Sequence, residues 1–230
     1  MNNWYGKLGL FVLALGLGVF TAGCESEDDN NIMKAQDCLN KVTDQGASAA
    51  ACRSYVSGLT TQQAYMLRCS IEFVYGGLTT EKVKNAFQEM SNNSSNANPE
   101  EFLIQNLSLI DPNGSGSSDN TALAKTAYDY CALSGSAGLI YVAGLSRIGT
   151  LIINAGGGNF EANLSACTGP TPTADCDPEE IGETVAAVAD SYCVGDNVNS
   201  DVCQSFLDAQ ANGENNEAIG NYILENWSGS

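Results

Sequence analysis

The side chains of this chain that can do chemistry are mainly cysteines and carboxylates. Asp111, Asn113, Ser115 and Asp119 place side-chain oxygens at the first, third, fifth and ninth positions of a loop whose sixth residue is Gly116. Calcium takes six to eight oxygen ligands, so this loop offers the start of a coordination shell. There are 9 cysteines and 0 histidines. Without histidine a serine or cysteine nucleophile lacks its usual general base. No two cysteines have the Cys-x-x-Cys spacing of zinc or iron–sulfur sites. Ser134-Gly135-Ser136-Ala137-Gly138 comes within one residue of a Gly-x-Ser-x-Gly elbow. No strand pattern precedes it, so it reads as small residues at a helix junction. Glu179 and Glu180 follow Asp177-Pro178, where acids complement a helix N-terminus rather than serve as a glycosidase pair. The chain reads as a non-enzyme.

The loop from Asp111 resembles an EF-hand calcium loop, with helical patterns on both sides. It departs from that pattern at the twelfth position, where Ala122 replaces the bidentate glutamate, and at the eighth, where Ser118 replaces an apolar residue. The resemblance implies at most a weak calcium site at Asp111, Asn113, Ser115 and Asp119. No other cofactor is expected.

The N-terminus carries a clearer signal. Lys7 precedes an apolar run from Leu8 to Phe20, followed by Thr21-Ala22-Gly23-Cys24 and an acidic stretch. A basic start, a short apolar core and small residues before a cleavage point describe a secretory signal. The run is too short for a membrane span, which needs about 20 apolar residues. Small residues directly before a cysteine resemble the lipobox of bacterial lipoproteins, although Thr21 stands where that family prefers Leu. The resemblance covers residues 1–29 and implies cleavage of residues 1–23, acylation of Cys24 with palmitate among its chains, and an envelope location. Glu25 after the cysteine resembles the outer-membrane sorting class, facing either periplasm or cell surface. Residues 24–31 read as an acidic flexible tether. Residues 32–230 follow as a helical domain, with 32–93 and 99–230 as possible halves.

Setting Cys24 aside leaves an even set: Cys38, Cys52, Cys69, Cys131, Cys167, Cys176, Cys193 and Cys203. In an exported protein these read as four disulfides. Cys38 and Cys52 flank Gly46, Cys167 and Cys176 bracket a Pro/Thr loop, and Cys193 and Cys203 straddle Gly195. Each pair suits a local hairpin staple, which leaves Cys69 for Cys131. The net charge of −18 disfavours nucleic acid and anionic membrane surfaces as direct partners.

Helical signals dominate from residue 32. Ile32, Ala35, Leu39 and Val42 fall at helical spacing, and an Ala-rich segment covers 48–57. Gly58-Leu59-Thr60-Thr61-Gln62 and Gly77-Leu78-Thr79-Thr80-Glu81 repeat one phrase, each with a helix-ending glycine and capping threonines. Thr60 with Gln63 predicts a capping box. Helices are expected over 62–75 and 81–90, then a polar loop from Ser91 to Asn98. Asn98-Pro99 starts a helix whose apolar face is Leu103, Leu107 and Ile110, and Thr121 opens the next, through Cys131. Residues 137–153 are strongly apolar around Arg147 and predict a buried central helix, with membrane insertion the minor alternative. Gly156-Gly157-Gly158 ends it. Asp177-Pro178 caps a helix with one face at Ile181, Val185, Val188, Ala189 and Tyr192. Segments 202–211 and 217–227 complete the chain. The expected fold is all-α: a disulfide-stapled array of antiparallel helical hairpins around one apolar central helix.

These features favour a lipid-anchored envelope module that binds or scaffolds an envelope protein. An alternative is a carrier of apolar ligand in a cavity lined by residues 137–153. A weak calcium-dependent module is the third reading.

Overall fold

The computed structural model describes residues 26–42, 46–92, 99–155, 160–168, 176–198 and 201–228. The expected leader, Cys24, most of the polar loop before Pro99, the glycines at 156–158 and most of the Pro/Thr loop lie outside them. All regular structure among the described residues is helical. The elements are α1 (Glu27–Asn40), α2 (Ala47–Val56), α3 (Gln62–Tyr75), α4 (Thr80–Asn92), α5 (Pro99–Leu107), α6 (Ser117–Leu133), α7 (Ala137–Asn154), α8 (Phe160–Thr168), α9 (Pro178–Ser191), α10 (Asp201–Asn212) and α11 (Asn216–Ser228). A short 3-10 turn at Gly195–Asn197 precedes α10.

Capping chemistry sets most of these boundaries. Asp177 accepts from the Glu179 amide at 2.9 Å and starts α9 with Pro178 in its first turn. At the end of α3, the Leu78 amide reaches Phe73 O and the Gly77 amide reaches Val74 O, a Schellman closure. That geometry puts Gly77 at φ 87°, which a side chain resists. The two repeated phrases use different caps. Thr61, rather than the expected Thr60, accepts from Ala64 N at 3.2 Å, whereas Thr79 accepts from Lys82 N.

Three other boundaries also move. The expected tether is helical from Glu27, because Ser26 Oγ caps Asp29 N at 3.2 Å and the acids Glu27, Asp28 and Asp29 fill the first turn. Carboxylates there meet the positive end of the helix dipole, which outweighs their poor burial. Similarly, α6 opens at Ser117 instead of Thr121, with Gly116 as its N-cap. Ile110 falls beyond the end of α5 and is 63 % exposed, so it does not belong to that helix's apolar face.

α7 is the centre of the core and packs against α5, α6, α8 and α9. It is long and apolar enough to cross a membrane, with mean hydropathy 1.4, yet 67 % of it is buried in the protein. A β-carbon at Gly149 would lie 2.3 Å from Ile104 O of α5, and one at Gly144 would lie 2.4 Å from a Val188 methyl of α9. These two contacts bring α7 into close approach with α5 and α9.

The second centre is the crossing of α9 with α11, the most extensive helix pair. There Gly182 faces Asn216 O and Gly220 faces Pro178 O, so the backbones touch. Around the crossing, Ile181, Val185, Ile223 and Leu224 are essentially inaccessible to solvent.

The four disulfides are Cys38–Cys52, Cys167–Cys176 and Cys193–Cys203, the pairings expected from the hairpin spacing, and Cys69–Cys131, the pairing expected by elimination. Cys69–Cys131 links α3 to α6, and one core cluster draws residues from both halves of the chain. A smaller cluster of Ala35, Cys52, Val56, Ala64 and Ile71 lies under α1, α2 and α3.

Candidate functional site

Where α2, α3 and α6 meet the 108–116 loop they form an open groove of about 370 Å³. α2 contributes Arg53, and α3 contributes Glu72 and Tyr75. The loop contributes Asp111, while α6 supplies Asp119, Ala122, Leu123, Thr126 and Tyr130. The α6 residues recur at helical spacing, so a single stripe of that helix forms one wall. Cys69–Cys131 ties α3 to α6, the helices of two of the walls.

The polar groups form a chain of contacts. Arg53 Nε donates to Glu72 Oε1 at 2.8 Å, and its Nη2 donates to Oε2, a bidentate pair. The guanidinium lies 4.1 Å from the Tyr75 ring centroid. Tyr75 Oη donates to Asp111 Oδ1 at 2.7 Å and accepts from Asn113 Nδ2 at 3.0 Å. Glu72 is only 3 % exposed. A buried carboxylate needs such a partner, since isolated burial of a charge is very costly. The bond to Asp111, with burial second, raises the Tyr75 pKa above its ordinary value. The bond to Glu72 raises that of Arg53. The groove thus presents a protonated phenol, a fixed cation and carboxylates: donors and acceptors suited to recognition.

Of the four proposed calcium ligands, Asp111 and Asp119 line this groove, and one carboxylate oxygen of each is engaged by the loop itself. Asp111 Oδ1 accepts from the Asn113 amide at 2.8 Å as well as from Tyr75. Asp119 Oδ2 accepts from the Ser115 amide at 2.7 Å and from its hydroxyl at 3.2 Å. A β-carbon on Gly114 would sit 2.7 Å from Asp119 Cβ and 3.0 Å from Asp111 Cβ, so the turn closes tightly between the two aspartates. Because α6 starts early, the seventh-position carbonyl, Ser117 O, accepts from Asn154 Nδ2 at 3.0 Å. An EF-hand loop would aim that carbonyl at the ion. Among the described residues no three His, Cys, Asp or Glu side chains gather as a metal cluster.

Other candidates resolve into structure. Ser134 Oγ donates to Cys131 O at 2.6 Å and accepts from Ser136 N, closing the end of α6. Glu180 lies 3.6 Å and Glu183 3.4 Å from the Arg147 guanidinium, which also stands over the Tyr128 ring. The lone arginine of the apolar helix is thereby 2 % exposed and paired across α7 and α9. Nearby, Tyr141 stacks on Tyr192 with centroids 4.3 Å apart.

Sequence spacing does not connect Arg53, Glu72, Tyr75 and Asp111. The one available signal was Glu72 within the run Ile71-Glu72-Phe73-Val74-Tyr75, since a carboxylate among apolar residues must find a partner. The chain matches no family model, and no curated protein or solved structure matches it significantly.

Proposed function

We propose that this protein is a bacterial envelope lipoprotein, held at the outer membrane through acylated Cys24, that works as a non-enzymatic binding or structural module. The observation that carries the reading is the use of the cysteines. Eight of the 9 are consumed in four disulfides, and the one left over is Cys24, directly after the small residues Ala22-Gly23. An odd cysteine in an exported protein needs a separate fate, and acylation supplies it. Oxidised pairs fit an oxidising compartment.

The groove between α2, α3 and α6 is the binding face of this reading. The groove is open, its partly exposed Arg53 is fixed by the buried Glu72, and Asp111 is fixed by Tyr75. Pre-set polar groups lose little entropy on binding.

The experiment is metabolic labelling with a palmitate analogue, followed by mass spectrometry of the mature N-terminus. Label on the wild type that disappears in Cys24→Ala supports the anchor. Label that persists in the variant, or a mature chain beginning elsewhere, refutes it.

A further inference from the structure

We infer that the domain is seated directly on a zwitterionic lipid surface, with the start of α1 against the headgroups. The inference rests on acylation of Cys24 and adds an orientation to it. Sequence composition alone would give a leash of eight residues, 24–31, long enough to hold the domain well clear of the bilayer. The fold takes up most of that leash. Ser26 is the N-cap of α1: its Oγ accepts from Asp29 N at 3.2 Å and donates to Asp29 Oδ2 at 2.9 Å, while its carbonyl accepts from Asn30 N at 3.1 Å. Only Glu25 separates that cap from Cys24. A chain extends at most about 3.6 Å per residue, so the two links from Cys24 to Ser26 reach about 7 Å.

α1 cannot act as an extension of the leash. Cys38–Cys52 bolts it to α2, Ala35 is fully buried in its inner face, and it also packs on α3. Holding the first turn of α1 near the bilayer therefore holds the whole domain there. Two of the exposed large apolar side chains lie on the α1-start side of this bridge. Met33 is 44 % exposed, and Tyr55, near the end of antiparallel α2, is 39 % exposed. Tyrosine with its polar tip suits the headgroup layer.

The charges select the lipid. Glu27, Asp28 and Asp29 form the turn nearest the anchor. Within roughly one Debye length, about 8 Å at physiological salt, they would be repelled by anionic headgroups and tolerated by zwitterionic ones.

The test uses the full acylated protein in phosphatidylethanolamine/phosphatidylcholine vesicles, with an environment-sensitive fluorescent amino acid replacing exposed Asn30. Headgroup-attached nitroxide lipid is the quencher. Most of the fluorescence should be lost in this protein. It should return when a Gly/Ser spacer of about ten residues, roughly 17 Å in mean reach, follows Glu25. Replacing part of the lipid with phosphatidylglycerol should weaken the quenching. An acylated protein whose probe is unquenched overturns the seat and leaves the anchor standing. Equal quenching with and without the spacer overturns the claim that the short link imposes the seat. A mature protein without acyl chains overturns the anchor and the seat together.

Discussion

Gly182→Ala is the sharpest test of the packing that carries this fold. The substitution adds one methyl in the middle of α9, where alanine normally gains about 1 kcal/mol of helix propensity over glycine. Here the new carbon would lie 1.7 Å from Asn216 O, 2.6 Å from Asn216 C and 2.8 Å from Gly220 N. Comfortable heavy-atom contacts are about 3.5 Å, and these neighbours are backbone, which cannot rotate aside. The helices must part, and separation loosens Ile181, Val185, Ile223 and Leu224 together. Overpacking of this kind costs about 3 kcal/mol at the upper end of its usual range. Offset by the propensity gain, the net loss is about 2 kcal/mol. For a chain of this size that lowers the Tm by roughly 4–8 °C. Thermal and urea unfolding followed by circular dichroism, with disulfides intact, measures it. Gly138→Ala is the control, because a β-carbon at that position in α7 meets nothing within 4 Å. It should leave the Tm unchanged or slightly higher. A Gly182→Ala protein as stable as wild type would refute the backbone-to-backbone crossing of α9 and α11.

The bridges should rank by the chain they enclose. Cys69–Cys131 spans 62 residues and Cys167–Cys176 spans 9. The chain-entropy relation gives about 4 kcal/mol for the first and about 2.5 kcal/mol for the second. Paired alanine variants compared by urea midpoint under non-reducing conditions should show that order, and the reverse order would count against it. Alkaline pH should act through Tyr75. Its folded pKa is raised, first by the bond to Asp111 and then by burial, so the proton is favoured in the native state. That stability is present below the unfolded value of about 10 and is lost as pH rises through the folded value. Tyr75→Phe should therefore flatten part of the stability loss above pH 10. Tyr128 and Tyr192, raised mainly by burial, keep the remainder. Identical pH slopes in variant and wild type would exclude the Tyr75–Asp111 bond.

Local chemistry made much of the fold legible. The exact span of α3, the cap at Asp177 and the all-α class follow from apolar periodicity and turn residues that act over a few positions. The pairings of the local cysteines follow because a short hairpin leaves few partners within reach. Boundaries failed where two local effects competed. The same acidic residues that mark a solvated tether also complement a helix dipole, and with Ser26 as cap the helix won. Ser117 to Asn120 read as loop by composition, yet became the first turn of α6 once Gly116 served as its cap.

The groove was hardly legible. Arg53 and Glu72 are 19 positions apart, and Tyr75 and Asp111 are 36 apart. No periodicity links residues on α2, α3 and a loop. Their meeting depends on how α3 packs against α2 and α6.

The sequence by itself determined what each segment is: an odd cysteine after an apolar run, helices with their caps, and an even cysteine set that can close. Those properties depend on neighbours within a turn or two of chain. Tertiary structure decided which charges meet, how little chain separates Cys24 from the folded domain, and that the most apolar helix is a core element. Those outcomes depend on helix faces competing for burial across the whole chain, where one backbone contact such as Gly182 on Asn216 fixes what lies beside it.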